Sequence, residues 1–174
     1  MNILDAIMTR RSIRRFTGGV ISDENLKLLL KAGFQAPSAH NREPREFIVL
    51  KEKAVLDEIS EFHRYAKMLP KAGCGIIVCG DKTKQENFGF LIEDCSASMQ
   101  NILLAAHGLG LGAVWCGLYP VSEYVEEISK TLELPEHIIP IGMVVVGEKD
   151  EDRESIDRYN PESIHYDKWR SKNE

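Results

Sequence analysis

Within six residues the chain sets four arginines and a serine, Arg10-Arg11-Ser12-Ile13-Arg14-Arg15. A guanidinium is a planar, permanently charged fork that matches phosphate oxygens, and a serine hydroxyl adds one more donor. In an extended segment alternate residues share a side, so Arg10, Ser12 and Arg14 can converge on one phosphorylated ligand. The plainer reading is a solvated basic run closing a helix, where the dipole favours cations. A second stretch, Ala36-Pro37-Ser38-Ala39-His40-Asn41-Arg42-Glu43-Pro44, is a polar loop stiffened by two prolines. Ser38, Asn41 and free backbone amides could read a polar heterocycle there, or the loop could be an ordinary turn.

A third stretch is Gly108-Leu109-Gly110-Leu111-Gly112-Ala113-Val114-Trp115-Cys116-Gly117. Gly108, Gly110 and Ala113 have the spacing of a dinucleotide fingerprint, but that motif must follow a strand and open a helix. Here the glycines close a helical pattern, so they are expected as caps. The Trp-Cys-Gly run after them can lay backbone amides against a flat ligand. The histidines, at 40, 63, 107, 137 and 165, form no HxxxH or HExxH pair, and the four cysteines no CxxC pair. No metal is expected, and the cysteines are expected as buried free thiols. No GxSxG-type nucleophile motif occurs either.

These stretches need elements to hold them. Ile3, Leu4, Ile7 and Met8 recur at helical spacing, which predicts a short amphipathic helix before the arginines. Ser22 can cap a second helix that stops before Pro37. Phe47–Leu50 reads as a strand and Lys51–His63 as a helix. The continuous apolar run Cys74–Cys79 reads as a strand covered on both faces. Phe88–His107, rich in Ala and Leu, is the candidate central core helix. Leu111–Cys116 follows as a short strand or extended turn, Ser122–Leu132 as a helix and Ile138–Gly147 as a second buried strand. The polar tail from Lys149 carries Tyr159, Ile164, Tyr166 and Trp169, too much apolar surface to stand in water, and is expected to wrap over something.

The 174 residues are expected to form a single domain, 1–174. A net charge of -5 argues against a general nucleic-acid binder, which needs a basic face. The opening residues are too few and too polar for a signal peptide, and no run approaches a membrane span. A cytoplasmic protein is the expectation.

Taken in order, R-R-S-I-R-R-F, then A-P-S-A-H-N-R-E-P, then an Ala-rich helix ending G-L-G-L-G-A-V-W-C-G resembles the FMN-dependent nitroreductase family. The resemblance runs from about Met1 to Trp169. It implies an α+β fold, a mixed and mainly antiparallel sheet flanked by helices. A long central core helix and a C-terminal tail wrapping the partner subunit belong to it. It also implies a homodimer with FMN at the interface. Arg10, Arg11 and Ser12 would hold the FMN phosphate, joined by Arg158 in the segment Arg158-Tyr159-Asn160-Pro161. Arg14 would lie near the pyrimidine edge or the ribityl chain, and Lys67 near the ring. Pro37, Ser38 and Asn41 would come from the other subunit, and the Trp115-Cys116-Gly117 backbone would face flavin N5. Many members of the family read N-x-Q-P-W-x-F where this chain has Asn41-Arg42-Glu43-Pro44-Arg45-Glu46-Phe47, so Glu43 replaces an amide and Arg45 a tryptophan.

The implied activity is transfer of a hydride from NADH or NADPH to a small organic acceptor, a nitroaromatic or quinone, by a ping-pong mechanism. The cofactor carries the chemistry, so no side-chain nucleophile is needed. The alternatives are a non-redox flavin-binding sensor or storage protein, or specialised flavin chemistry such as dehalogenation or flavin fragmentation on the same fold.

Overall fold

The computed structural model describes residues 1–169. Its centre is a four-stranded sheet in the order β1-β2-β4-β3, formed by β1 (Arg45–Leu50), β2 (Cys74–Asp81), β3 (Gly112–Gly117) and β4 (Ile138–Gly147). All three pairings are antiparallel. The sheet expected to be mainly antiparallel is therefore wholly so. β2 lies between β1 and β4 and is buried along its whole length, which is why its sequence is an unbroken apolar run. Pro140 stands in β4 beside the irregularity that shifts the β2–β4 register between Val78 and Cys79. A bulge tolerates a residue with no N–H to give to the ladder.

Side-chain alternation divides the core in two. Ile76, Val78, Val144 and Val146 face α5 (Phe88–Gly108) and α2 (Asp23–Phe34). Ile77, Cys79, Met143 and Val145 face the other layer, α3 (Lys53–Phe62), the short α4 (Leu69–Ala72) and α6 (Ser122–Thr131). The long helix is the hub of the first layer, as its composition predicts. It comes close enough that a Cβ at Gly80 would lie 2.2 Å from Leu91. All four cysteines are free and buried. Burial pushes their thiols up to about 11 or 12, so none is a ready nucleophile.

α5 ends as its glycines foretell. Gly110 takes φ +78°, its N–H bonds to the His107 carbonyl and that of Leu111 to the Ala106 carbonyl. This is the paired closure of a Schellman motif, which favours glycine at the left-handed position. β3 starts two residues later, so the motif turns the chain from the core helix onto the sheet edge.

The helix α1 (Ile3–Thr9) forms, but only Ala6 on it is buried. Ile3, Leu4, Ile7 and Met8 stay exposed, as do Ile156, Tyr159, Ile164, Tyr166 and Trp169 of the tail. Among the described residues no helix is long and apolar enough to cross a membrane, and no group of His, Cys, Asp or Glu could hold a metal ion.

Candidate functional site

The arginine-rich segment leaves α1 extended and runs beside β3, the free edge of the sheet. Ile13 fixes it there: its N–H bonds to the Ala113 carbonyl at 3.0 Å, and its side chain packs where a Cβ on Gly112 would sit. Phe16, 1% exposed, bridges to Lys149, and the Thr17 N–H bonds to the Glu148 carbonyl. Glu151 pins the turn between them by accepting the backbone N–H of Arg14 at 2.6 Å and of Arg15 at 3.1 Å. Those bonds, the Arg14 one foremost, hold its carboxyl below the usual carboxylate range.

Two anchored apolar residues thus present the side chains between them. Arg10, Arg11, Ser12 and Arg14 line a cavity of about 610 Å³ together with Arg158 and Arg153 of the tail. Arg11 acts as a staple here. Its guanidinium donates to the carbonyls of Arg10, Met8, Glu154 and Ile156, tying the tail to the segment. Arg10 and Arg158 have no carboxylate partner among the described residues. Desolvation, and then the charges of Arg11 and Arg158, push the Arg10 pKa down. Arg153 pairs with Glu151 and Glu154 also lines the hollow, so the charge left unpaired among the described residues is that of Arg10, Arg14 and Arg158.

A second cavity, of about 470 Å³, shares Arg14 with the first and continues along the same edge past Lys67, Trp115, Cys116 and Gly117. Ala113 turns its carbonyl outward to Ile13, so strand alternation turns the amides of Trp115 and Gly117 to that edge as well. The Cys116 side chain points inward and its Sγ lies 3.3 Å from the Tyr65 carbonyl. Lys67 lines the cavity, yet its ammonium donates to the Ser60 and Glu61 carbonyls at 2.6 and 3.0 Å, capping α3.

His63 joins the two walls of this cavity. It is fully buried, with Nε2 3.0 Å from the Gly117 carbonyl and Nδ1 3.2 Å from the Tyr65 N–H. An N–H must find a lone pair, so Nδ1 is bare and Nε2 carries the proton. The ring stacks on Tyr124 with centroids 4.1 Å apart. Desolvation is the largest influence on it and lowers its pKa. Nothing in the sequence distinguishes His63 from the four other scattered histidines. Its partners are backbone groups far away in the chain.

Pro37, Ser38 and Asn41 line neither cavity. Their loop is strained: His40, Asn41 and Glu43 take φ of 54°, 54° and 48°. Left-handed backbone suits Asn and costs a Glu about 1–3 kcal/mol. It is held from beneath by a polar stripe. Asp94 accepts the Ala39 N–H at 2.8 Å, Ser98 donates to the Gly33 carbonyl at 2.9 Å, and Asn101 donates to that of Ala32 at 3.1 Å. Arg45, 4% exposed, completes the set on the Phe34 carbonyl, and its Nη2 lies 3.4 Å from Glu43 Oε1. The two departures from the resembled pattern are therefore partners of each other. Asn41 keeps its side chain without a hydrogen bond among the described residues.

An antiparallel sheet between helical layers, with an arginine-lined hollow leading into a flat cleft on the sheet edge, defines a binder of a phosphorylated, planar ligand. The sequence profile of the nitroreductase family matches residues 7–64 and 63–148, and the chain belongs to that family. A protein of Methanothermobacter thermautotrophicus, provisionally named NADH dehydrogenase/NAD(P)H nitroreductase, is 42% identical over 97% of this chain and 88% of its own length. A crystal structure of a Parabacteroides distasonis protein given the same provisional name superposes with a TM-score of 0.93 at 38% identity, covering 97% of this chain and all of the other. A Desulfovibrio desulfuricans nitroreductase, also provisionally named, was solved in complex with FMN. It is 31% identical with a TM-score of 0.84 over 98% of this chain and 99% of its own.

Proposed function

We propose that this chain is an FMN-dependent oxidoreductase that moves a hydride from NADH or NADPH to a small organic acceptor of the nitroaromatic or quinone type. The observation that carries this reading is the shared wall at Arg14. A cationic hollow and a flat cleft meet there, in the order that a phosphate tail and a tricyclic ring require. The relatives named as NAD(P)H nitroreductases, and the related structure solved with FMN, support the same reading.

The residues fit the cofactor. Arg10, Arg158 and Ser12 offer side-chain donors that meet no acceptor among the described residues, and Arg11 ties the tail to the segment beside them. Arg14, on the wall shared by the two cavities, would stand between the phosphate and the ring. The outward amides of Trp115 and Gly117 would donate to the ring edge, held in place by His63. FMN, when bound, accepts a hydride at N5 and delivers it onward. Arg14 and, at longer range, Lys67 place positive charge where negative charge would build up. No side chain has to act as nucleophile. Donor and acceptor would use one open face in turn, which makes the kinetics ping-pong.

Pro37, Ser38 and Asn41 line neither the arginine hollow nor the cleft, and α1 and the tail leave apolar side chains in water. Both features support a homodimer in which each loop serves the partner's site and each tail covers the partner. Closed twofold symmetry is the usual form of such pairing. The test is direct. The purified protein should be yellow, release FMN and scatter light as a dimer. Anaerobic NADH or NADPH should bleach it, a quinone should restore its colour, and steady-state plots against donor should be parallel at different acceptor levels. A colourless protein that takes up no added FMN would overturn the proposal.

A further inference from the structure

The cleft has an uneven charge that the cofactor alone does not use. From Phe62 to Gly80 the sequence holds no carboxylate, although the chain as a whole carries 27 acidic residues against 22 basic ones. That stretch contributes Arg64, Tyr65, Lys67 and Met68 to the cleft beside β3. A smaller hollow of about 200 Å³ adjoins it, sharing Arg14, Lys67 and Met68 and adding Arg15 and Lys71. Its one carboxylate, Asp150, pairs with Arg15 at 3.8 Å. Lys67 is occupied by two carbonyls. Arg64 lies 5.5 Å from the Tyr65 ring centre and has no carboxylate partner among the described residues, and neither has Lys71.

We propose that the acceptor reduced at this cleft is an anion, a small aromatic compound bearing a carboxylate or sulfonate, and that Arg64 and Lys71 receive that group. The proposal rests on the oxidoreductase reading above and names the substrate class of the same site. Tyr65 and Met68 supply apolar surface for a ring, Arg64 stands on the cleft wall beside them, and Lys71 lines the adjoining hollow that shares Arg14, Lys67 and Met68 with the cleft. A cleft of one sign in a protein of the other focuses the field and concentrates the matching ion. A neutral ring gains nothing from those cations, and a cationic one is repelled.

The FMN-loaded protein should be assayed with 4-nitrobenzoate and 4-nitrobenzamide, and the ratio of their kcat/KM values followed. Intrinsic reducibility cancels when that ratio is compared across conditions. At low salt the ratio should favour benzoate, and it should fall as ionic strength screens those cations. Arg64→Gln and Lys71→Gln should each lower it by about threefold to tenfold. Arg64→Lys should restore part of it, which a loss of folding would not allow. A ratio indifferent to salt and to both substitutions overturns the proposal. If neither compound turns over, the oxidoreductase reading fails on its own. Ligand-observed NMR with benzoate and benzamide then decides the anion preference of the cleft without any turnover. Equal binding of the two overturns it, and salt-sensitive selection of benzoate upholds it.

Discussion

The arginine segment and the Pro37–Pro44 loop are both short polar stretches beside a helix end, yet they are held in opposite ways. The segment is anchored by Ile13 and Phe16, two apolar residues that it buries itself, and its arginines remain at the surface. The loop buries no large side chain. It is held in left-handed backbone by polar groups reaching up from α5 and β1. Charge that is anchored apart from its work can be altered without disturbing the fold. A loop shaped by buried hydrogen bonds cannot, because its conformation and its anchor are the same contacts.

The contrast can be broken most sharply at Arg10. Arg10→Ala removes a cation that has no carboxylate partner among the described residues. FMN affinity should fall about tenfold to a hundredfold, the worth of one charge-assisted hydrogen bond, while thermal unfolding of the cofactor-free protein stays within a degree or two. Fluorescence titration and calorimetry measure the two. A stability loss as large as the loss in binding would show that the segment is no more separable than the loop.

Asp94→Ala should do the reverse. It leaves the Ala39 N–H without its acceptor and should cost about 1–3 kcal/mol of stability, read by urea denaturation. Asp94→Asn keeps an acceptor oxygen in place and should recover much of that. If Asp94→Ala unfolds at the wild-type urea concentration, the loop does not depend on the stripe, and the contrast drawn here is wrong.

The sequence makes this difference visible only in part. The arginine cluster, the capping glycines, the buried strands and the long helix are legible because each is written in neighbouring residues: a period, a run, a turn signal. Strand β1 begins two residues before the apolar pattern suggests, since Arg45 and Glu46 give no strand signal although both pair with β2. The short helix α4 passes unnoticed because it has no full turn of periodic residues. Arg45 looks like a flaw in a loop motif until Glu43 and the Phe34 carbonyl are seen around it. Asp94 lies in the second turn of α5, which Asn87 caps, and its role shows only where it accepts the Ala39 N–H of the loop. His63, Arg64 and Arg153 gain meaning only from residues distant in sequence, which pattern alone does not bring together.

His63 offers the finest test, because it belongs to neither region and braces the cleft between them. In the folded chain its Nδ1 must stay bare to accept the Tyr65 N–H, and burial disfavours the charged ring. The unfolded chain takes up a proton at the ordinary value near 6.5, whereas the folded chain resists until lower pH. The contribution of His63 to stability is therefore complete above 6.5 and declines as pH falls from there towards the folded value, no more steeply than about 1.4 kcal/mol per pH unit. His107, whose Nε2 lies 2.8 Å from Thr9 Oγ1, is shifted the same way, again mainly by desolvation, and titrates in the same window. The measurement is accordingly a difference. His63→Gln, which cannot take up a proton, should lose less stability than wild type between pH 7 and pH 5.5. It should also lower FMN affinity at pH 7 by only a few-fold, because Gly117 and Tyr65 are loosened while the arginine hollow is untouched. Parallel pH profiles for the two proteins would assign the acid sensitivity to His107 and leave His63 as packing against Tyr124.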